Sequence, residues 1–220
     1  VVNQIAQAFS CVKIGRMPNR FIAIEGVIGV GKTTLARLLT QELNAETVLE
    51  VVEENPFLSN FYQDISKYAF QTQIFFLLSR FRQMQTAAPD ILSRRNLVSD
   101  YLLAKDCVFA KLTLNPDELD MHARLYPILS SKLPRPDLVV YLRANINVVM
   151  ERIATRDRPF ERSMSQNYIE RLGEGYDEFF RTYTEAPLLE IDTNKLNIVS
   201  NHEDLHNVAR QIANAARMLN

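Results

Sequence analysis

A chain of 220 residues suits one domain with one sizeable core. Apolar residues make up 47% and charged residues 23%, a balance that excludes wholesale disorder. The net charge of −1 excludes a bulk electrostatic pull toward nucleic acid or an anionic membrane, so any anion site must be a local cluster.

No apolar run approaches the length of a membrane span, and the N-terminal stretch lacks the apolar segment of a secretory signal. A cytoplasmic protein with no membrane or nucleic-acid partner is expected. Cys11 and Cys107 match no metal spacing and read as reduced thiols. Residues 1–19 read as an N-terminal extension, with Met17 as a natural start, ahead of a domain over residues 20–220.

In chain order, Phe21–Glu25 reads as a buried strand ending at a glycine, and Lys32–Leu43 as a helix. Thr47–Val52 is a second strand, followed by a short helix over Pro56–Tyr62. A long helix runs from Tyr68 to about Gln85. Leu97–Asp100 is the third strand, and Leu102–Lys111 and Pro116–Leu133 are helical. Asp137–Leu142 is the fourth strand, then helices at Ile146–Thr155 and Ser165–Tyr183. Pro187–Ile191 is the fifth strand, and an amphipathic helix over His202–Leu219 closes the chain. Continuous apolar strands separated by helices predict an α/β fold, a five-stranded parallel sheet covered on both faces.

The first strand leads into Gly26-Val27-Ile28-Gly29-Val30-Gly31-Lys32-Thr33-Thr34 and then a helix. This is the P-loop pattern in the strand–loop–helix context it requires. The glycines let consecutive backbone N–H groups turn inward, and the helix N-terminus adds positive potential at the same place. Lys32 can reach the β- and γ-phosphates of ATP, and the Thr33 hydroxyl can ligate Mg2+. The chain has only six glycines and three fall in this loop. A guanine-reading Asn-Lys-x-Asp motif is missing, since Asn194-Lys195-Leu196-Asn197 lacks the carboxylate, and this weighs against a GTPase.

Phosphoryl transfer also needs a carboxylate near the nucleophile and cations on the moving group. Asp100, at the end of the third strand, is either a metal contact or a helix cap. Glu50 lies in the second strand with Glu53 and Glu54 just after it, where strand ends converge on the ligand crevice of a parallel sheet; the alternative is that two or three of these glutamates are simply solvated. Arg152 and Arg156 share a helix face with Arg158 just beyond, as a lid over the phosphates or as cations suited to a helix C-terminus. Gln73 and Arg80, seven apart, share a face of the long helix, and a glutamine there reads a base edge or satisfies a buried amide. His202-Glu203-Asp204-Leu205-His206 fits the zinc-protease spacing, but no downstream third ligand follows, and Asn201 with two acids reads as a helix start.

Together the P-loop, Glu50-Val51-Val52-Glu53-Glu54-Asn55-Pro56-Phe57-Leu58, Phe61-Tyr62, Tyr68 through Arg80, Ser99-Asp100-Tyr101 and Arg156-Asp157-Arg158-Pro159-Phe160-Glu161 resemble the deoxynucleoside kinases. The likeness is greatest to the bacterial deoxyguanosine and deoxyadenosine kinases and runs from about Arg20 to the chain end. It implies a P-loop kinase fold with an Arg-rich lid, and ATP- and Mg2+-dependent phosphorylation of the 5′-hydroxyl of a 2′-deoxynucleoside, a purine by overall likeness, in a homodimer. It makes Glu50, rather than Glu53, the general base. It assigns Gln73 to the base edge, Phe109 to stacking, Tyr62 and Glu161 to the sugar 3′-hydroxyl, and Arg80 to the vicinity of the base. Arg152, Arg156 and Arg158 become the lid, and Asp100 joins Thr33 in the metal region. One departure stands out. Many members carry Asp-Arg-Ser or Glu-Arg-Ser where this chain has Ser99-Asp100-Tyr101, so the arginine that helps hold the base and the 5′-oxygen is absent, a feature of the deoxyguanosine-kinase-like branch. Lys105-Asp106 leave the register of the base-reading aspartate open. The rivals are a nucleoside monophosphate kinase, which would clamp its acceptor phosphate with Arg80 and Arg82, and a degenerate nucleotide-binding subunit.

Overall fold

The apolar runs pair as one parallel sheet. In the computed structural model, which describes residues 19–197 and 201–218, the strands are β1 (Phe21–Glu25), β2 (Ala45–Val48), β3 (Asn96–Ser99), β4 (Leu138–Arg143) and β5 (Leu188–Asp192). Their order is β2-β3-β1-β4-β5, and every pairing is parallel. All five residues of β1 are buried. Because successive side chains point to opposite faces, both faces of the sheet centre are covered. The covering helices are α1 (Lys32–Glu42), α2 (Leu58–Phe61), α3 (Ile65–Arg94), α4 (Lys105–Thr113), α5 (Pro116–Ser130), α6 (Ile146–Arg156), α7 (Gln166–Arg181) and α8 (His202–Arg217). β1 lies between two strands that are not its sequence neighbours, so the crevice where ligands bind in such sheets opens at its C-terminal end.

Several expected boundaries move, three of them for a plain physical reason. β2 ends at Val48 rather than Val52, because its last ladder partner is Ser99 and the Glu50 N–H turns to Asp100 Oδ1 at 2.8 Å. Glu50 therefore stands beyond the strand rather than in it. α3 runs nine residues past Gln85 and through Pro89. Met84, Ala88 and Ile91 continue its buried face, and that packing offsets the roughly 3 kcal/mol cost of an internal proline. α4 starts at Lys105 rather than Leu102, because the Leu102 N–H is drawn to the buried Glu25 Oε1 at 3.4 Å. At α8 the Asn201 side chain accepts from the Glu203 and Asp204 N–H groups at 3.0 and 3.4 Å, an N-cap as expected for a helix start. Cys11, Met17 and Leu219 lie outside the described residues.

Candidate active site

The loop between β1 and α1 is shaped by two crowded glycines. Gly26 has φ +146°, and a Cβ there would sit 2.4 Å from the Leu142 carbonyl oxygen. Gly29 has φ +86°, and its Cβ would meet Ile153 Cγ1 at 2.6 Å. No L-side chain fits either place without displacement. Gly31, also left-handed, is the N-cap of α1 and offers no capping side chain, so the first N–H groups of the helix face the loop. Lys32 folds back across the loop, its Nζ donating to the carbonyls of Gly26 and Val27 at 2.7 and 3.1 Å. Burial and the nearby ammonium of Lys105 lower the Lys32 pKa to about 8.

Two cavities meet at this loop. One, of about 180 Å3, is walled by Glu50, Arg80, Lys105, Phe109, Tyr62 and Glu161, with Asp100 and Arg158 also on its surface. The other, of about 650 Å3, runs along Gly29–Thr34 to Arg152, Thr193 and Leu196. Gly29, Lys32, Thr33 and Arg156 belong to both. Two ligands seated in these cavities would meet end to end over Lys32 and Thr33.

The Glu50 carboxylate accepts three side-chain hydrogen bonds in the smaller cavity. Arg80 donates to Oε1 from Nε at 2.6 Å and also from Nη2, while Lys105 donates to Oε2 at 3.0 Å. Burial raises the Glu50 pKa, but the two cations outweigh it and hold the carboxyl far below the usual range. Arg80 is fixed in turn by Asp106, which accepts from Nη1, and it lies over the Phe76 ring at 4.6 Å. Asp100 ties the elements together: Oδ2 accepts from the Thr33 hydroxyl at 2.5 Å while Oδ1 holds the Glu50 N–H.

The lid region is already paired. Arg156 binds Glu161 through both carboxylate oxygens, Nη2 to Oε1 at 2.6 Å and Nε to Oε2 at 3.1 Å. Arg158 lies 3.4 Å from Glu53 and 3.9 Å from Glu161. The left-handed C-cap Asp157 and then Pro159 end α6, so the chain carrying Arg158 leaves the helix at this point. Burial, with the charges of Glu161 and Glu50 nearby, pushes the Tyr62 hydroxyl well above its ordinary pKa.

Sequence reasoning and geometry part company at a few residues. Arg152 does not project as a lid: its guanidinium donates to the Val30, Thr193 and Leu196 carbonyls and to Thr193 Oγ1, bracing the P-loop against the segment after β5. Arg80, assigned to the vicinity of the base, lines the smaller cavity and grips Glu50 and Asp106 there. Gln73 is buried, with Nε2 3.4 Å from Thr113 Oγ1, and lines neither cavity. Two residues went unread. Glu25, fully buried at the end of β1, accepts from the Tyr176 hydroxyl at 2.9 Å and from the Gly26 and Leu102 N–H groups. Lys105 stands between Glu25 and Glu50. A carboxylate inside an otherwise apolar strand was the signal for the first; the second had none, because α4 was expected to begin three residues earlier.

The family described as deoxynucleoside kinase matches residues 22–217. A deoxyguanosine kinase of Bacillus subtilis is 34% identical over 197 residues, covering 87% of this chain and 95% of the relative. A deoxyadenosine kinase of Dictyostelium discoideum is 39% identical over 165 residues, 73% of this chain and 66% of the relative. The structure of deoxyadenosine kinase from M. mycoides with bound dATP superposes with a TM-score of 0.77 at 26% identity, covering 89% of this chain and 100% of that one.

Proposed function

The chain belongs to the deoxynucleoside kinase family, and we propose that it transfers the γ-phosphoryl group of ATP to the 5′-hydroxyl of a purine 2′-deoxynucleoside. The observation that carries this reading is the pair of cavities sharing Lys32 and Thr33, with Glu50 on the wall of the smaller one. ATP takes the larger cavity, its phosphates held by the loop N–H groups and Lys32, with Arg152 bracing the wall. The deoxynucleoside takes the smaller one. The purine preference draws on the deoxyguanosine and deoxyadenosine kinases among the relatives.

In this reading Glu50 orients the 5′-hydroxyl and accepts its proton as the new O–P bond forms. A carboxylate clamped by two cations is too weak a base to remove that proton beforehand, so proton transfer is late. Arg156 and Arg158 exchange their carboxylate partners for the phosphoryl oxygens when substrate arrives. Tyr62 and Glu161 hold the sugar 3′-hydroxyl, and Phe109 stacks on the base. Gln73, which lines neither cavity in this structure, reads the base edge once its amide leaves Thr113 and turns into the smaller cavity.

Thr33 and Asp100 fit a Mg2+ ion, since two hard oxygen ligands already lie 2.5 Å apart beside the loop. No cluster of three or more His, Cys, Asp or Glu side chains forms a cation cage among the described residues, as suits an ion held largely by phosphates and water. When bound, the ion would neutralise charge on the β- and γ-phosphates.

A monophosphate acceptor is less well served, because Arg80 is committed to Glu50 and Asp106, and Arg82 is exposed. The family match over 22–217 supports a kinase domain at 20–220 with residues 1–19 as an extension. The apolar surface offered by Met121, Leu125 and Ile128 along one side of α5 supports a homodimer. No helix of the described residues is long and apolar enough to cross a membrane, which is compatible with a cytoplasmic kinase.

A bisubstrate compound tests the two-cavity arrangement: adenosine joined 5′ to 5′ through a polyphosphate to deoxyguanosine. It should compete with both ATP and the deoxynucleoside and bind more tightly than either. Competition with ATP alone would contradict the arrangement.

A further inference from the structure

The wall of the smaller cavity carries a buried cation that the roles above do not use. Lys105 opens α4 with its side chain 4% exposed, and it shares the cavity wall with Lys32, Glu50 and Arg80. Its Nζ donates to Glu50 Oε2 at 3.0 Å and lies 4.0 Å from Glu25 Oε1. Burying an ammonium is costly, and an apolar side chain would fill the same space without that cost. Here two carboxylates keep the charge in place, one from β1 and one from the segment after β2.

The neighbouring cations are engaged elsewhere. Arg80 is committed on both sides, to Glu50 Oε1 and to Asp106. Lys32 is turned to the loop carbonyls. The residue after Asp100 brings no charge: Tyr101 is fully buried, and its hydroxyl donates to Gln83 Oε1 at 3.1 Å. The Lys105 ammonium makes a single hydrogen bond, to Glu50, among the described residues. An ammonium has three donors, so donor capacity remains beside the place where the acceptor oxygen must sit.

We propose that Lys105 is a catalytic residue, whose ammonium links Glu50 to the acceptor oxygen and stays in contact with the phosphoryl group as it crosses. The inference rests on the kinase reading above. In the step, the bond from the 5′-oxygen to phosphorus forms while the bond from phosphorus to the β–γ bridging oxygen breaks. The electron pair of the broken bond leaves on ADP, the hydroxyl proton passes to Glu50, and Lys105 keeps its three protons. Charge on the reacting oxygens thus falls beside a fixed cation in a site shielded from water, where it is worth most.

The test compares Lys105→Met, which keeps length and loses charge, with Lys105→Arg, which keeps charge in a bulkier group. Steady-state transfer from Mg-ATP to deoxyguanosine and deoxyadenosine is measured for both and for wild type, with ATP binding stoichiometry as the check on folding. Lys105→Met should lower kcat by about 100-fold or more, the loss seen when one transition-state donor is removed. The KM for ATP should stay within about threefold, since the lysine lies outside the ATP cavity. Lys105→Arg should recover kcat to within roughly tenfold of wild type. A packing role gives the opposite ranking, with Met near wild type and Arg impaired, and that ranking would overturn the proposal. If Met prevents folding, Lys105→Gln takes its place with the same expectation. Wild type that phosphorylates no deoxynucleoside overturns the kinase reading and the inference with it. Active wild type with Lys105→Met within threefold overturns the inference alone.

Discussion

Glu50→Gln separates the chemistry of the acceptor cavity from its packing. The substitution keeps the shape and removes the charge. Three hydrogen bonds converge on this carboxylate, two from Arg80 and one from Lys105. A glutamine has one carbonyl oxygen, and if it stays on Arg80 its amide N–H faces the Lys105 ammonium. One charge-assisted bond is lost, worth about 1.5–3 kcal/mol. Arg80 retains Asp106 and Lys105 retains Glu25, so the remaining cations stay partnered. Stability should therefore fall by about 2–3 kcal/mol, which lowers Tm by roughly 5–10 °C in a protein of this size. Because the carboxyl is held below its ordinary value of 4.5, its contribution to stability is present above that pH and fades as pH falls through the depressed folded value. The stability gap between wild type and variant should accordingly narrow in acid. Turnover should drop by about 100- to 10,000-fold, the range for loss of a positioned acid–base group. ATP affinity should be unchanged, because Glu50 does not line the ATP cavity. Steady-state kinetics, ATP titration and urea melts at neutral and acid pH measure all three quantities. A kcat within threefold of wild type, with ATP binding intact, would refute the role given to Glu50.

Three further outcomes follow from the geometry. Lys32 loses its proton near pH 8 in the free protein and regains it beside phosphates, so ATP affinity should weaken above that pH by up to about tenfold per unit; calorimetry in buffers of different ionisation enthalpy should show proton uptake, and its absence at about pH 9 would contradict this. Glu161→Gln removes the carboxylate that Arg156 grips with two nitrogens, and the deoxynucleoside KM should rise about tenfold with the ATP KM little altered, as initial-rate kinetics would show. Gly29→Ala forces a side chain into left-handed backbone and against Ile153, which should cost about 2–4 kcal/mol and weaken ATP binding, with a drop in Tm by calorimetry on the order of 5–15 °C.

The parts legible in the sequence were those set by local patterns. β1, the P-loop and the start of α1 lie where the sequence places them, because continuous apolar character, glycine spacing and the Lys-Thr pair act within a dozen residues. The boundaries that shifted were decided by distant partners. Asp100 pulls Glu50 out of β2, and Glu25 draws Leu102 away from α4. The same long-range pairing hid Lys105, since nothing within its own helix indicates that carboxylates from β1 and the β2 loop will meet it. Arg152 shared a helix face with Arg156, as the spacing predicted, yet the carbonyls that occupy it come from two other segments, the P-loop and the stretch after β5. Periodicity identifies a face; which element meets that face is a property of the topology.

The most direct measurement is phosphoryl transfer from Mg-ATP to deoxyguanosine, deoxyadenosine, deoxycytidine and thymidine, with the corresponding monophosphates as parallel acceptors. The account predicts 5′-monophosphate formation from deoxynucleosides, with the highest kcat/KM on a purine and no transfer to monophosphates. Transfer confined to monophosphates, or ATP binding with no transfer to any acceptor, would contradict it.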